Sequence, residues 1–252
     1  MRLLNATTLK LHSFQEDEAP MYAILSHTWH DDEVLFEDLR DITRASKQAG
    51  FEKIRLCCKQ ALKEGLQFVW VDTCCIDKNS SAELSEAINS MFRWYRKAKA
   101  CYAYLQDVSE LQWLENGNVE VHSRWFKRAW TLQELLAPPR LVFYSSNWTY
   151  LGKKNGQMKG AVSRATGIEE DYLTGTPLEM ASISKRMSWA AHREATRAED
   201  VAYSLFGLFD VQMPLLYGEG LRKAFMRLQE EIMKSSSDHT LFAWTRTGRL
   251  NS

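Results

Sequence analysis

Phe68-Val-Trp-Val-Asp72-Thr-Cys-Cys-Ile-Asp77, followed by Ser80-Ser-Ala-Glu83, is the stretch that decides how this chain folds. Phe68 to Asp72 is a short apolar run and reads as a buried strand. Ser80 to Glu83 has capping-box spacing. It opens a helix whose Leu84, Ile88, Met91, Phe92 and Tyr95 share one face. The same alternation continues in both directions. Upstream, Met21-Tyr-Ala-Ile-Leu-Ser26 follows Pro20 as another buried strand. Residues 53–64 place Ile54, Cys58, Ala61 and Leu62 on one helical face, with Gly65 as the C-cap. Downstream, Cys101-Tyr-Ala-Tyr-Leu105 and Leu141-Val-Phe-Tyr144 read as strands. Residues 123–136 between them read as a helix that Pro138-Pro139 stops.

Strands alternating with helices predict an α/β fold over residues 1–165, with a mostly parallel sheet and helices on both faces. The pattern then changes. Residues 180–194, 199–209 and 219–234 all read as helices with no strand between them. A helical extension, 166–252, is therefore expected to pack on the α/β core, because Trp189, Phe206, Phe209 and Phe225 need a surface to bury against. Leu241-Phe-Ala-Trp244 reads as a late strand. The tail after it looks like a cut end, which predicts a longer protein.

The 252 residues are enough for a sizeable core, and 45% hydrophobic with 25% charged is ordinary globular usage. Lys plus Arg is 32 and Asp plus Glu is 32, so the net charge is zero. That removes the bulk electrostatic argument for a nucleic-acid or anionic-membrane partner. No apolar run reaches membrane-spanning length, and the N-terminus has no signal-like region. The five cysteines fall as Cys57-Cys58, Cys74-Cys75 and Cys101. Adjacent pairs suit neither disulfides nor zinc, so reduced thiols in a cytoplasmic protein are expected. The Asn147-Trp-Thr sequon then carries no meaning. The nine tryptophans are expected to fill cores or line a pocket.

Open parallel sheets place ligands at the carboxyl ends of their strands. Here those ends are Ser26-His-Thr-Trp29, Asp72-Thr-Cys-Cys-Ile-Asp77, Asp107 and Tyr144-Ser-Ser. Rings and carboxylates together suit a nucleoside, since a ring stacks the base and an acid holds sugar hydroxyls. Phosphate-loop, dinucleotide-fingerprint and nucleophile-elbow motifs are absent. So are His-Glu-x-x-His and Cys-x-x-Cys, and no metal is indicated. Cys74 and Cys75 lie near a strand end, as do His27 and His30. They are either a nucleophilic pair or thiols packed under the sheet. Asp72 and Asp77 are either ligand-binding or satisfied by backbone N–H groups. Glu134 sits among Trp130, Leu135 and Leu136, where a carboxylate is costly unless paired or functional. Arg128 and Arg124 are candidate partners. The alternative is a capping box, Thr131-x-x-Glu134, with the carboxylate on the Thr131 N–H.

Several of these stretches resemble one family. Tyr22-Ala-Ile-Leu-Ser-His-Thr-Trp29, Val69-Trp-Val-Asp-Thr-Cys-Cys-Ile-Asp-Lys78 and Glu83-Leu-Ser-Glu-Ala-Ile-Asn-Ser-Met91 are similar to the HET (heterokaryon incompatibility) domain of filamentous fungi. Arg128-Ala-Trp-Thr-Leu-Gln-Glu-Leu-Leu-Ala-Pro138, Asp200-Val-Ala-Tyr-Ser-Leu-Phe-Gly207, Pro214-Leu-Leu-Tyr-Gly-Glu-Gly220 and the closing Leu-Phe-Ala-Trp fit the same pattern. The resemblance runs in order from about residue 20 to 245. It implies a role in fungal non-self recognition and programmed cell death, often at the N-terminus of larger NOD-like proteins with repeat regions.

The core in turn resembles a Toll/interleukin-receptor (TIR) domain, with a flavodoxin-like sheet. Trp130-Thr-Leu-Gln-Glu134-Leu looks like the TIR pattern of Trp, Cys, two residues, then Glu-Leu, with Thr131 in place of the Cys. In TIR enzymes that glutamate is the catalytic acid of NAD cleavage. The resemblance therefore implies an NAD glycohydrolase with Glu134 as the catalytic carboxylate and NAD as substrate rather than cofactor. Ser26, His27, Trp29, Asp72, Cys74, Arg128 and Trp130 are the expected substrate-binding residues. It also implies self-association, since TIR-like enzymes need neighbouring copies to complete their sites. Some TIR domains only assemble, so a non-catalytic self-associating signalling module is the alternative.

Overall fold

A computed structural model describes residues 1–109, 123–236 and 238–242. Its centre is a sheet of seven strands: β1 (Arg2–Asn5), β2 (Leu11–Ser13), β3 (Tyr22–His27), β4 (Phe68–Trp70), β5 (Ala100–Tyr104), β6 (Leu141–Tyr144) and β7 (Tyr150–Lys153). The spatial order is β2-β1-β4-β3-β5-β6-β7. The four strands read from the sequence form the parallel centre, β4-β3-β5-β6. Every residue of β3, β5 and β6 is buried, as expected of strands covered on both faces.

The sheet is mixed rather than mostly parallel, because β1 with β2, β1 with β4, and β6 with β7 pair antiparallel. These flanking strands have three or four residues, and β2 and β7 are partly exposed. They carry no long apolar run, and short loops suffice to join antiparallel neighbours.

Ten α-helices lie among the described residues: α1 (Ile42–Ala45), α2 (Phe51–Lys63), α3 (Ser81–Lys97), α4 (Thr131–Leu136), α5 (Lys159–Thr166), α6 (Glu170–Thr174), α7 (Ile183–Ser188), α8 (Asp200–Tyr203), α9 (Phe206–Phe209) and α10 (Gly220–Ser235). Gly65 follows α2 at φ +77°, the left-handed geometry that ends a helix at low cost in glycine. Ser80 caps α3 by accepting from the Glu83 N–H at 3.3 Å. Glu83 does not return the bond to Ser80. Its carboxylate accepts from the Asp77 N–H at 2.9 Å and pairs with Arg2.

Residues 123–136 are not one helix. Arg124–Lys127 is a 3-10 turn, Arg128 is extended at ψ 137°, and α4 starts afresh at Thr131. A distant partner causes the break. The Ala129 N–H donates to the Glu194 carbonyl at 2.8 Å, and the Glu194 N–H donates to the Lys127 carbonyl at 2.7 Å. Backbone groups claimed by this bridge cannot join helical bonds.

Beyond residue 165 the helices are shorter than expected. Residues 180–194 are helical only at their start and over α7, and 199–209 divide into α8 and α9. Trp189, Phe206 and Phe209 are buried. Helix α9 packs on α3 so closely that a Cβ on Gly207 would lie 2.0 Å from the Phe92 Cβ. The expected late strand is instead a 3-10 turn at His239–Phe242, and residues 243–244 lie outside the described residues. Among the described residues no helix is long and apolar enough to cross a membrane.

Candidate functional site

The sheet register sets the site. Ile24 of β3 lies opposite Trp70 of β4, so Asp72, two residues on, leaves the sheet beside Ser26 and His27. Chain order reverses between β3 and β5, and crevices at such a reversal bind ligands in open α/β sheets. Helix α4 brings Glu134 to the same end. Ser26 is fully buried at the base. Its hydroxyl donates to Glu134 Oε2 at 2.5 Å and accepts from Trp125 Nε1 at 2.8 Å.

Glu134 borders a pocket of about 260 Å³ whose walls include His27, Trp29, Asp72, Arg128, Trp130 and Asp200. A larger groove of about 780 Å³, lined by Arg93, Lys154, Arg186 and neighbours, shares no wall residue with it and lacks the buried carboxyl. Burial pushes the Glu134 carboxyl up to about 8, and the nearby Asp72 charge adds to the shift. Hydrogen bonds from Ser26 and Tyr95 and the Arg128 charge oppose it. Glu134 is therefore mainly protonated at pH 7.

Asp72 remains ionised. Burial works against its charge, but His27, Lys78 and the Trp29 indole outweigh burial and hold the carboxyl below its ordinary value. Its two oxygens accept from His27 Nε2 and Trp29 Nε1, both at 2.8 Å. Burial, with the Lys53 charge, pushes the His27 pKa down, against the pull of Asp72. His27 Nδ1 is buried with no partner.

Trp29 is 42% exposed, and the Lys78 ammonium lies 3.4 Å from its ring centroid. The loop that carries Trp29 is folded by a buried ion pair between Lys53 and Glu33, with Lys53 also donating to the Thr28 carbonyl at 3.2 Å.

The helical extension supplies the opposite wall through Thr196, Arg197, Asp200 and Tyr217. Asp200 accepts from the Tyr217 hydroxyl at 3.0 Å. Burial raises its pKa against the pull of Trp130, Tyr217 and Arg197. Behind this wall the buried Arg193 donates to the Arg128 carbonyl and to Thr131 Oγ1, both at 2.9 Å, and to the Trp189 carbonyl at 3.2 Å. Burial lowers its pKa to about 9, while the nearby Glu134 acts in the opposite sense.

Six of the residues singled out from the sequence meet at this pocket: His27, Trp29, Asp72, Arg128, Trp130 and Glu134. Ser26 lies behind it and reaches it only through Glu134. Cys74 does not belong there. It is fully buried, its thiol is directed to the Val71 carbonyl, and it is absent from the pocket wall. The Cys75 thiol beside it and burial push its pKa well up, which counts against Cys74 as a nucleophile. The capping-box alternative for Glu134 fails as well. Its carboxyl bonds Ser26, and Thr131 uses its hydroxyl on the Trp125 and Arg128 carbonyls. Arg124 is exposed, and its amide bonds Asp107, so it is no partner of Glu134. Among the described residues no group of three or more His, Cys, Asp or Glu side chains is placed to hold a metal.

The sequence reading missed Lys78, Arg193, Arg197 and Tyr217 and gave Asp200 no role. Asp200 and Tyr217 fell inside motifs already quoted, and their polarity within apolar runs was the available signal. Arg193 and Arg197 lie in a charge-rich stretch that reads as solvated surface, with nothing to distinguish them.

Residues 22–121 match the family described as Heterokaryon incompatibility protein (HET), and residues 223–251 match Domain of unknown function (DUF8212). Glu134 lies beyond the first stretch. Among curated proteins, Vegetative incompatibility protein HET-E-1 of Podospora anserina is 50% identical over 222 residues. That alignment covers 85% of this chain but 16% of the relative, so the chain spans a small part of that protein's length. No solved structure matches the chain. The chain carries a heterokaryon incompatibility (HET) domain.

Proposed function

We propose that this chain is a HET-domain effector of fungal non-self recognition and cell death, and that it acts by cleaving NAD at the Glu134 pocket. One observation carries the reading: a buried carboxyl, held by Ser26, faces a pocket with aromatic and cationic walls at the carboxyl ends of β3 and β4. Perturbed carboxyls in such crevices mark catalytic sites. The spacing from Trp130 to Glu134-Leu135 and the order of the four parallel strands support a TIR-like, flavodoxin-like core. The similarity to a vegetative incompatibility protein supports the incompatibility role.

The chemistry needs little apparatus. In NAD the leaving nicotinamide is already cationic, so the bond from its ring nitrogen to C1′ breaks without a general acid. The electron pair goes to the nitrogen and leaves neutral nicotinamide. The remaining ribosyl cation resembles the oxocarbenium species of glycoside hydrolysis. Water adds at C1′ and loses a proton, giving ADP-ribose. Burial keeps Glu134 mainly protonated at pH 7, and a pyridinium placed beside it favours its ionised form. The carboxylate then stabilises the ribosyl cation and holds ribose hydroxyls. Trp29 and Trp130 offer ring faces.

On this reading isolated copies are weak, and clustering by a fused or partner NOD-like or repeat-containing region completes the site. The five free, buried thiols suit a reducing compartment such as the cytoplasm. The test is to incubate the protein with NAD over nanomolar to high micromolar concentrations and follow nicotinamide. Turnover per molecule that rises with concentration is the expected result. No nicotinamide at any concentration returns the chain to a non-catalytic interaction module.

A further inference from the structure

The pocket interior, about 260 Å³, lies below the roughly 300–1,000 Å³ of sites that enclose a whole drug-sized ligand. On the proposed reading it takes one base-and-sugar half of a dinucleotide. The rest of such a ligand has to run over the rim, so what the rim offers decides which molecules stay bound.

Two guanidinium groups stand on that wall. Arg128 donates a single hydrogen bond, to Thr196 Oγ1 at 3.1 Å. Arg197, next in sequence to Thr196, is exposed, and its guanidinium lies 4.2 Å from the centre of the Tyr217 ring. Neither forms an ion pair among the described residues. The carboxyls of the pocket feel these charges, Glu134 that of Arg128 and Asp200 that of Arg197, but their hydrogen bonds go to other groups: Asp72 to His27 and Trp29, Glu134 to Ser26, Asp200 to Tyr217. Most of the donors of both forks thus have no hydrogen-bond partner among the described residues. Planar guanidinium forks bind phosphate oxygens two at a time, and stacking on an aromatic ring preorganises the group at little entropic cost. Two such forks on one pocket wall, one bonded to Thr196 and the other carried by the next residue, suit adjacent phosphates better than a lone carboxylate. The charge is also local, because the chain as a whole is neutral.

We infer that Arg128 and Arg197, both on the pocket wall, form a diphosphate clamp at the pocket rim, so that the site selects dinucleotides over nucleosides. The inference rests on the reading of this pocket as the NAD site, and it gives the helical extension a binding role. Arg128 comes from the segment before α4, whereas Arg197 and Thr196 come from beyond residue 165. The two halves of the chain are locked together beside the clamp by the Arg128–Glu194 bridge.

The experiment is titration calorimetry of the purified chain, dilute and clustered through a fused oligomerisation domain, with ADP-ribose, inorganic pyrophosphate and adenosine. ADP-ribose should bind at least tenfold tighter than adenosine and weaken as salt is raised. Arg197→Gln should lose about ten- to a hundredfold in ADP-ribose affinity, the range for a charged hydrogen bond to phosphate, and leave adenosine unchanged. Arg197 is exposed, so the variant should unfold at the wild-type temperature. Equal affinity for ADP-ribose in wild type and Arg197→Gln overturns the clamp. So does adenosine binding as tightly as ADP-ribose, or no ADP-ribose binding in either preparation. The two readings fail separately. Arginine-dependent ADP-ribose binding without NAD cleavage removes the enzyme and keeps the clamp. NAD cleavage whose KM ignores Arg197→Gln removes the clamp and keeps the enzyme.

Discussion

Glu134→Gln should make the protein more stable, by an amount that grows with pH. In the folded chain the carboxyl titrates at about 8, against an ordinary value of 4.5, mainly because burial disfavours its charge. Unfolded, it releases its proton near the ordinary value. A raised folded-state pKa stabilises the fold fully only below the unfolded value, and that contribution is lost as pH rises through the folded one. Between about pH 4.5 and 8 the wild type should therefore lose stability relative to the Gln variant by about 1.4 kcal/mol per pH unit. The shift of about 3.5 units makes the full difference about 5 kcal/mol above pH 8. Below pH 4.5 both side chains are neutral, both accept from Ser26, and the two proteins should agree to within about 1 kcal/mol. Urea unfolding of both proteins from pH 4 to 9, with constant m-values, measures this directly. Parallel stability curves would show that Glu134 titrates normally. A wild type that outgains the variant as pH rises would show a carboxylate held by an ion pair, and the burial argument would be refuted.

Three further outcomes follow from the same geometry. The kcat/KM for NAD should rise with pH to a plateau, with an inflection near 8, because it reports the ionisation of free Glu134; a flat profile from pH 6 to 9 counts against Glu134 as the catalytic carboxylate. Ser26→Ala leaves the Trp125 indole and the Glu134 carboxyl without their shared partner, so stability should fall by about 1–3 kcal/mol and the kcat/KM inflection should move up. Gly207→Ala forces a methyl group against Phe92 between α9 and α3, so thermal unfolding should show a loss of at least about 1–3 kcal/mol; an unchanged melting temperature would mean that the two helices are not packed as described.

What the sequence made legible follows from how locally each feature is encoded. Strands β3, β4, β5 and β6 are runs of apolar residues, and their pattern does not depend on a distant partner. Strands β1, β2 and β7 are short, and β2 and β7 are half exposed, so nothing in the pattern separates them from loops. The break before α4 was invisible for another reason. It is imposed by Glu194, far along the chain, on residues 127–129 that are compatible with a helix. The pocket divides in the same way. His27, Trp29 and Asp72 were found because strand ends in an α/β sheet converge. Glu134 was found because an acid among Trp130 and leucines needs a reason. Arg193, Arg197 and Tyr217 arrive from the helical extension, whose path over the core no local pattern encodes. Cys74 was misplaced because adjacency to Asp72 in sequence does not fix which side of the chain faces the pocket.

On the proposed reading, Glu134 stabilises the ribosyl cation as the nicotinamide–ribose bond breaks. The most direct measurement is nicotinamide release from NAD by the wild type and Glu134→Gln, each clustered through the same fused oligomerisation domain and assayed at pH 8. Release by the clustered wild type is expected, with none above background from the variant, which remains folded. Equal release by both proteins, or none by the clustered wild type, would contradict it.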